Sequence, residues 1–193
     1  QISEDGWGPI DGNYMFMGGT SMATPLTAGA ATLVREYYDD EEGITPSAAL
    51  IKATLVNGTT DVAPGQYGTG AAQEIPYSRP TNVAGWGRVN LENSLFPAAP
   101  RAMLYEDETT GLTTGQSHTF NYTVSSSAEP LHVTLAWSDY PGSPIAAGGL
   151  VNDLDLTITG PGGAYYPNNA SQRGLASAAA RVAPSARQRR EMG

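Results

Sequence analysis

Cysteine is absent from the 193-residue chain. Its absence excludes disulfides, thiol nucleophiles, iron–sulfur ligation and cysteine zinc sites together, and it leaves the compartment open. Long apolar runs are missing too. Nothing approaches the ~20 residues of a membrane span, and the longest helical candidate, Ala28 to Val34, lies in a much shorter run, so a membrane is not an expected partner. Basic residues are scarce in the body. Residues 1–170 carry 18 acidic side chains against five basic ones (Arg35, Lys52, Arg79, Arg88 and Arg101), whereas residues 171–193 carry five arginines against Glu191 alone. Phosphate recognition needs clustered Lys and Arg, so nucleic acid is not an expected partner, and the acidic surface reads as a solvated one. Histidine occurs twice, at His118 and His132, which leaves few candidates for a general base.

What is present is a globular composition: 40% hydrophobic and 15% charged is too apolar for a disordered chain and too dilute in charge for a coiled coil. Glycine (23) and proline (14) are abundant, so much of the backbone is expected in turns and loops. The chain opens Gln1-Ile2-Ser3-Glu4-Asp5, without an initiator methionine, a basic start or an apolar signal core, and reads as an interior piece of something longer.

Tyr14-Met15-Phe16-Met17 meets Gly18-Gly19 and then a stretch from Met22 to Tyr38 in which Leu26, Ala30, Leu33, Val34 and Tyr37 recur at three- and four-residue steps. That spacing predicts a helix with one buried stripe. Pro25 is expected in its first turn, where a missing N–H costs no bond. Ala28 and Gly29 leave room for another backbone to approach. A second helix is predicted with Thr45 as N-cap, Pro46 as first residue, Leu50, Ile51, Leu55 and Val56 as its apolar set, and Asn57-Gly58 as its stop. Residues 59–85 read as a long surface loop. Asn90 is predicted to cap a short helix over Leu91 to Leu95.

From Ala102 the period changes to two. Thr119 to Val124, Leu131 to Trp137 and Leu154 to Ile158 alternate apolar and polar residues between Gly- and Pro-bearing turns, which predicts antiparallel strands. Three Asn-x-Ser/Thr triplets, at Asn57, Asn121 and Asn169, are of a kind that short polar loops produce by chance, and they carry no weight at this level.

A serine between a glycine-bearing turn and a helix start has two physical assets. Glycines let a substrate approach the backbone, and the helix start leaves free N–H groups beside the hydroxyl. An oxyanion formed there would be stabilised, one such donor being worth ~3 to 4 kcal/mol in a hydrolase. The plainer alternative is that Ser21 or Thr20 merely caps the helix, worth ~1 kcal/mol.

The string Gly19-Thr20-Ser21-Met22-Ala23-Thr24-Pro25 resembles, residue for residue, the nucleophile motif of the subtilisin-like serine proteases. Met17-Gly18 before it, the helix after Thr45-Pro46, and Gly85-Trp86-Gly87-Arg88-Val89-Asn90 are similar to the last third of that family's catalytic domain. Leu135-Ala136-Trp137-Ser138-Asp139 and Leu150 to Leu156 are similar to the jelly-roll domain that follows it in larger members. The resemblance covers roughly residues 14–160.

It implies the C-terminal portion of an α/β three-layer catalytic domain over residues 1–97 and a truncated antiparallel β-sandwich or jelly roll over 98–166; the basic tail over 167–193, set apart by its Ala- and Arg-rich composition, is expected to be disordered or non-native. The resemblance also implies peptide-bond hydrolysis through an acyl-enzyme, with Ser21 as nucleophile and Gly19, Thr20 and the Ser21 N–H forming the oxyanion and substrate-binding turn. The family's order is Asp, His, Ser, so the acid, the base and the oxyanion-hole Asn are expected upstream of Gln1. Polypeptide is then the substrate of the full-length parent and the location extracellular. No redox or nucleotide cofactor is implied.

Without a base the isolated chain is expected to be inert, since loss of a triad member costs subtilisin itself on the order of a millionfold in turnover. Helix faces stripped of the parent sheet, at Ala28 to Tyr38 and Leu50 to Val56, are expected to drive self-association. Asp139, Asn152, Asp153 and Asp155 gather the hard oxygens calcium prefers, and similar proteins bind structural calcium; an alternating strand that simply turns Asp155 to solvent is the other reading. Two further functions stay open: a non-catalytic β-sandwich interaction module, and an α/β-hydrolase-type esterase in which Asp139 or Asp153 with His118 or His132 would complete a triad after Ser21.

Overall fold

The computed structural model describes residues 8–143 and 150–166, together with the backbone of residues 178–182. Three helices carry the core: α1 (Thr20–Asp40), α2 (Ala48–Asn57) and α3 (Leu91–Leu95). Four short strands follow: β1 (Leu131–Leu135), β2 (Ile158–Gly160), β3 (Gly163–Tyr165) and β4 (Ala178–Val182). β1 pairs with β4 and β2 with β3, both antiparallel, in two separate two-stranded sheets.

The first helix begins two residues earlier than its apolar pattern predicts. Gly19 O accepts the N–H groups of both Met22 and Ala23, each at 3.1 Å, which closes the first turn around Thr20. Pro25 therefore sits inside α1 rather than in its first turn, and its missing N–H leaves the Ser21 carbonyl without its helical donor. The buried stripe is also shifted. Ala30, Val34 and Tyr38 are buried, whereas Leu26 and Leu33 are 76% and 49% exposed. A side chain at Gly29 would meet nothing within 4 Å, so no described backbone uses that gap.

The cap of α2 is Ser47, not Thr45. Its hydroxyl accepts the Leu50 N–H at 3.0 Å, and Pro46 stands buried just outside the helix. A carboxylate sixty residues away fixes this choice: Asp107 accepts the Ser47 N–H at 2.7 Å and the Ser47 hydroxyl at 2.6 Å. Asn90 caps α3 as its position predicts, accepting the Asn93 N–H at 3.1 Å.

Ala30, Val34 and Tyr38 from α1, Leu50 and Leu55 from α2, and Leu95 from α3 form the core, with Met103 and Tyr105 packed against it. Segment 103–107 alternates strictly: residues 103, 105 and 107 are half-buried, and 104 and 106 are exposed. It straps the helices. Met103 Sδ lies 3.6 Å from the Tyr38 hydroxyl, the Tyr105 ring meets the Tyr38 ring edge-on at 4.9 Å, and the Tyr105 hydroxyl donates to Glu42 at 3.0 Å.

The long loop after α2 is irregular but tied down. Thr60 and Arg88 exchange both backbone hydrogen bonds, at 2.8 and 2.9 Å. The Asp61 carboxylate accepts the N–H groups of Ala63 and Arg79, and the Arg79 guanidinium donates to the Thr59 carbonyl and hydroxyl oxygens. Burial pushes the Asp61 carboxyl up, but these N–H groups, the Ser78 hydroxyl and the Arg79 charge outweigh it and hold the pKa below its usual value.

The described residues do not assemble a two-sheet sandwich. Of the expected strands, 131–137 appears as β1 and 154–158 survives only from Ile158, while 119–124 joins no ladder. Alternation supplies a face, not a partner, and strands this few and short cannot cover two faces of a core. β4 falls within the 167–193 tail that composition sets apart, and its backbone nonetheless pairs with β1.

Two glycines mark close approaches. A Cβ on Gly58 would run into the Ser94 backbone and hydroxyl. One on Gly87, held at φ +102°, would strike the Thr60 carbonyl. Gly58→Ala and Gly87→Ala should each cost about 2 to 3 kcal/mol through overpacking and strain, whereas Gly29→Ala should leave stability unchanged or raise it by about 1 kcal/mol; urea unfolding of the three variants checks the ranking. A second expectation concerns alkali. Burial first, and the hydrogen bond to Glu42 second, push the Tyr37 pKa from 10 up to about 12. A raised folded-state value favours the protonated phenol, so its contribution is full below pH 10 and is lost as pH rises through about 12. Unfolding free energy should fall across that window, and Tyr37→Phe should flatten the fall.

Candidate active site

The approach to Ser21 is a tight reversal. The N–H groups of Ile10 and Asp11 donate to Tyr14 O at 2.8 and 3.2 Å, the Phe16 N–H donates to Gly8 O at 2.8 Å, and Asp11 Oδ1 accepts the N–H groups of Asn13 and Tyr14. Tyr14, Met15, Phe16 and Met17 emerge from it exposed. Gly19 then turns the chain into α1 with φ +144°, a value that side-chain-bearing residues rarely adopt. Both glycines are open: a Cβ at Gly18 would meet nothing within 4 Å, and one at Gly19 only Met22 Sδ at 4.0 Å.

No side chain caps α1. Gly19 O has taken the Met22 and Ala23 donors, and among the described residues the N–H groups of Thr20 and Ser21 have no acceptor. Those two amides, at the positive end of a 21-residue helix, face whatever occupies the turn. Thr24 Oγ1 donates back to Thr20 O at 2.7 Å, tightening the same turn. Ser21 itself is exposed. The arrangement joins a hydroxyl, its own free amide and an uncovered backbone on one helix end, three of the features an acyl transfer to serine uses.

A base is not brought to it. Among the described residues no histidine or carboxylate hydrogen-bonds the Ser21 hydroxyl. His118 Nδ1 lies 3.0 Å from Glu108 Oε2 and its ring meets Phe120 edge-on. His132 lies in β1, paired by backbone with residue 181. The triads that would pair Asp139 or Asp153 with either histidine therefore have no hydrogen-bonded link to Ser21.

At the candidate calcium ligands the structure joins Asp139 to Asn152 and leaves Asp153 and Asp155 exposed. Asp139 Oδ1 accepts the Asn152 side-chain amide at 2.8 Å, and its two oxygens also take the N–H groups of Tyr140, Val151 and Asn152. Desolvation alone would raise the carboxyl, and these donors together hold it below its usual value. Its oxygens are turned to N–H groups, and among the described residues no group of three or more His, Asp, Glu or Cys side chains is placed to hold a metal.

One feature escaped the sequence. An apolar groove of about 370 Å³ runs between Thr27 and Ala31 of α1, Ile51 and Leu55 of α2, and Trp86 and Val89 of the loop. The Trp86 indole N–H is buried beside it with no partner among the described residues. Gly85-Trp86-Gly87 was visible as a motif, but nothing in its spacing announces that the tryptophan would wall a cleft between two helices.

Comparison with known proteins bears on the same stretch. Residues 2–87 match the Subtilase family. Among curated proteins, the serine protease/ABC transporter B family protein tagA of Dictyostelium discoideum is 31% identical over 158 residues, covering 74% of this chain and 8% of its own length. The proteins of the same description named tagB and tagD, from the same organism, are 27% and 29% identical, each over 80% of this chain and 10% and 11% of their own lengths. The chain thus spans about a tenth of the length of these relatives. With the seven-residue motif set in an open helix start and inside the matched stretch, residues 2–87 of the chain belong to the subtilase family.

Proposed function

We propose that this chain supplies the nucleophile segment of a secreted subtilisin-like endopeptidase that cleaves polypeptides through an acyl-enzyme at Ser21. The observation that carries the reading is the exposed Ser21 in the first turn of α1, beside its own unbonded N–H and behind the wide-φ Gly19.

In this reading Ser21 Oγ attacks the scissile carbonyl as an imidazole takes its proton. The carbonyl oxygen becomes an oxyanion held by the Ser21 N–H at the positive helix end, and the leaving amine recovers the proton. Water then repeats the sequence on the acyl-enzyme. The backbone at Gly18 and Gly19 lets the peptide lie close, since no side chain stands there. The imidazole and its orienting carboxylate come from the part of the parent that precedes this stretch in the family's order, and the exposed Tyr14 to Met17, Leu26 and Leu33 are the apolar surface against which that part packs. Covering such a surface is worth ~25 cal/mol per Å². The same surface, left uncovered, promotes self-association of the isolated chain.

A fluorophosphonate probe tests the proposal. The chain alone should label at background, and a full-length parent should label at Ser21 and lose the label in Ser21→Ala. Restoring activity from the isolated chain by adding the preceding segment should raise turnover of a peptide substrate by several orders of magnitude. Labelling of the full-length protein that survives Ser21→Ala would remove Ser21 from the chemistry. In that same protein Gly19→Val, which sets a branched side chain at φ +144°, should lower kcat far more than it raises KM.

A further inference from the structure

The structure separates the three Asn-x-Ser/Thr triplets. Asn169 lies outside the described residues. Asn57-Gly58-Thr59 is closed: Thr59 is 6% exposed, its hydroxyl donates toward Val56 O and Trp86 O at 2.9 and 2.6 Å, and it receives the Arg79 guanidinium. Gly58 between them is pressed against Ser94.

Asn121-Tyr122-Thr123 is open. Contacts along this segment alternate. His118 meets Glu108 at 3.0 Å, Phe120 meets the His118 ring, and the Tyr122 hydroxyl donates to Glu106 Oε1 at 3.3 Å. Residues 118, 120 and 122 thus serve the side turned to segment 106–108. Thr119, Asn121 and Thr123 are exposed, and among the described residues none of their side chains has a hydrogen bond, ion pair or ring contact. Both the acceptor amide and the hydroxyl of the triplet are therefore open to solvent. No described backbone ladder has to open for an enzyme to take hold of it.

We propose that Asn121 is the acceptor of an N-linked oligosaccharide. The modification rests on the extracellular reading above, because its donor is a polyprenyl-diphosphate-linked oligosaccharide and its membrane transferase works on chains being exported. Asn121 Nδ2 forms a bond to the anomeric carbon of the first sugar as the bond from that carbon to the diphosphate oxygen breaks. The diphosphate leaves with the electron pair, and one amide proton passes to a carboxylate of the transferase. A bulky, solubilising group of this kind needs an open surface, which the 119–123 face provides and the Thr59 site does not.

The test takes the full-length protein from its producing cells, records whether it lies in the medium or the cytosol, and treats its peptides with peptide N-glycosidase in heavy-oxygen water. Labelled aspartate is expected at 121, with Asn57 unlabelled. Thr123→Ala should abolish the label and Thr123→Ser retain it. Protein in the medium with residue 121 unmodified overturns the assignment and leaves the extracellular reading standing, whereas protein confined to the cytosol overturns both. A label at Asn57 instead of Asn121, or one that survives Thr123→Ala, also overturns it.

Discussion

Tyr38 holds the described fold together. Its side chain is fully buried and is reached from α2 and from segment 103–105. Thr54 of α2 lies 2.8 Å from its hydroxyl, Met103 Sδ lies 3.6 Å from the same atom, and the rings of Tyr37 and Tyr105 stand edge-on to it. A phenol buried this way stabilises by its area, roughly 1.5 to 3 kcal/mol, and by edge-to-face pairs of about 0.5 to 1.5 kcal/mol each. With six buried apolar residues in the described core, contributions of that size decide whether the helices stay together.

That anchor sits at one end of a long lever. A 21-residue α1 is about 30 Å long, and its burial is confined to Ala30, Val34 and Tyr38 in its C-terminal half. Ser21 stands at the other end, where residues 23–29 are all exposed. Burial and openness are therefore divided along one helix: the core can tolerate what happens at the Gly19 turn, and the turn has an uncovered approach because nothing described packs on it. In the proposed reading, a nucleophile on the free end of this lever has its direction set by the helix axis and its partners set by whatever covers the face of Leu26 and Leu33.

How much of this could be read from the residues follows from how local each cause is. The Gly19 turn and the existence of α1 are consequences of neighbours in sequence, and the helix start was legible to within two residues. Asn90 capping α3 is equally local. Ser47 was not legible as the cap of α2, because Thr45-Pro46 is the better local signal and the deciding Asp107 carboxylate arrives from sixty residues away. Leu26 and Leu33 fit an apolar period and still lie exposed, since periodicity names a face without saying what covers it. Segment 119–124 shows the same limit in another form: it alternates as strands do, yet among the described residues it joins no ladder, and Tyr122 ties it to Glu106 by a side chain instead.

The acid–base half of the chemistry follows from the same locality. A serine hydroxyl becomes a strong nucleophile when a base, most often an imidazole, accepts its proton within hydrogen-bond reach, and among the described residues neither histidine holds that place: His118 is engaged with Glu108 and His132 lies in a strand. The free amides of Thr20 and Ser21 stabilise the negative charge that grows on a carbonyl oxygen as serine attacks it. They do not remove the proton of the attacking hydroxyl, so the open helix start accounts for where the carbonyl oxygen goes but not for how the hydroxyl is activated. In the proposed reading, the cover that exposed Leu26 and Leu33 would take and the imidazole that Ser21 would need are two demands on the same neighbouring structure, one of packing and one of proton affinity.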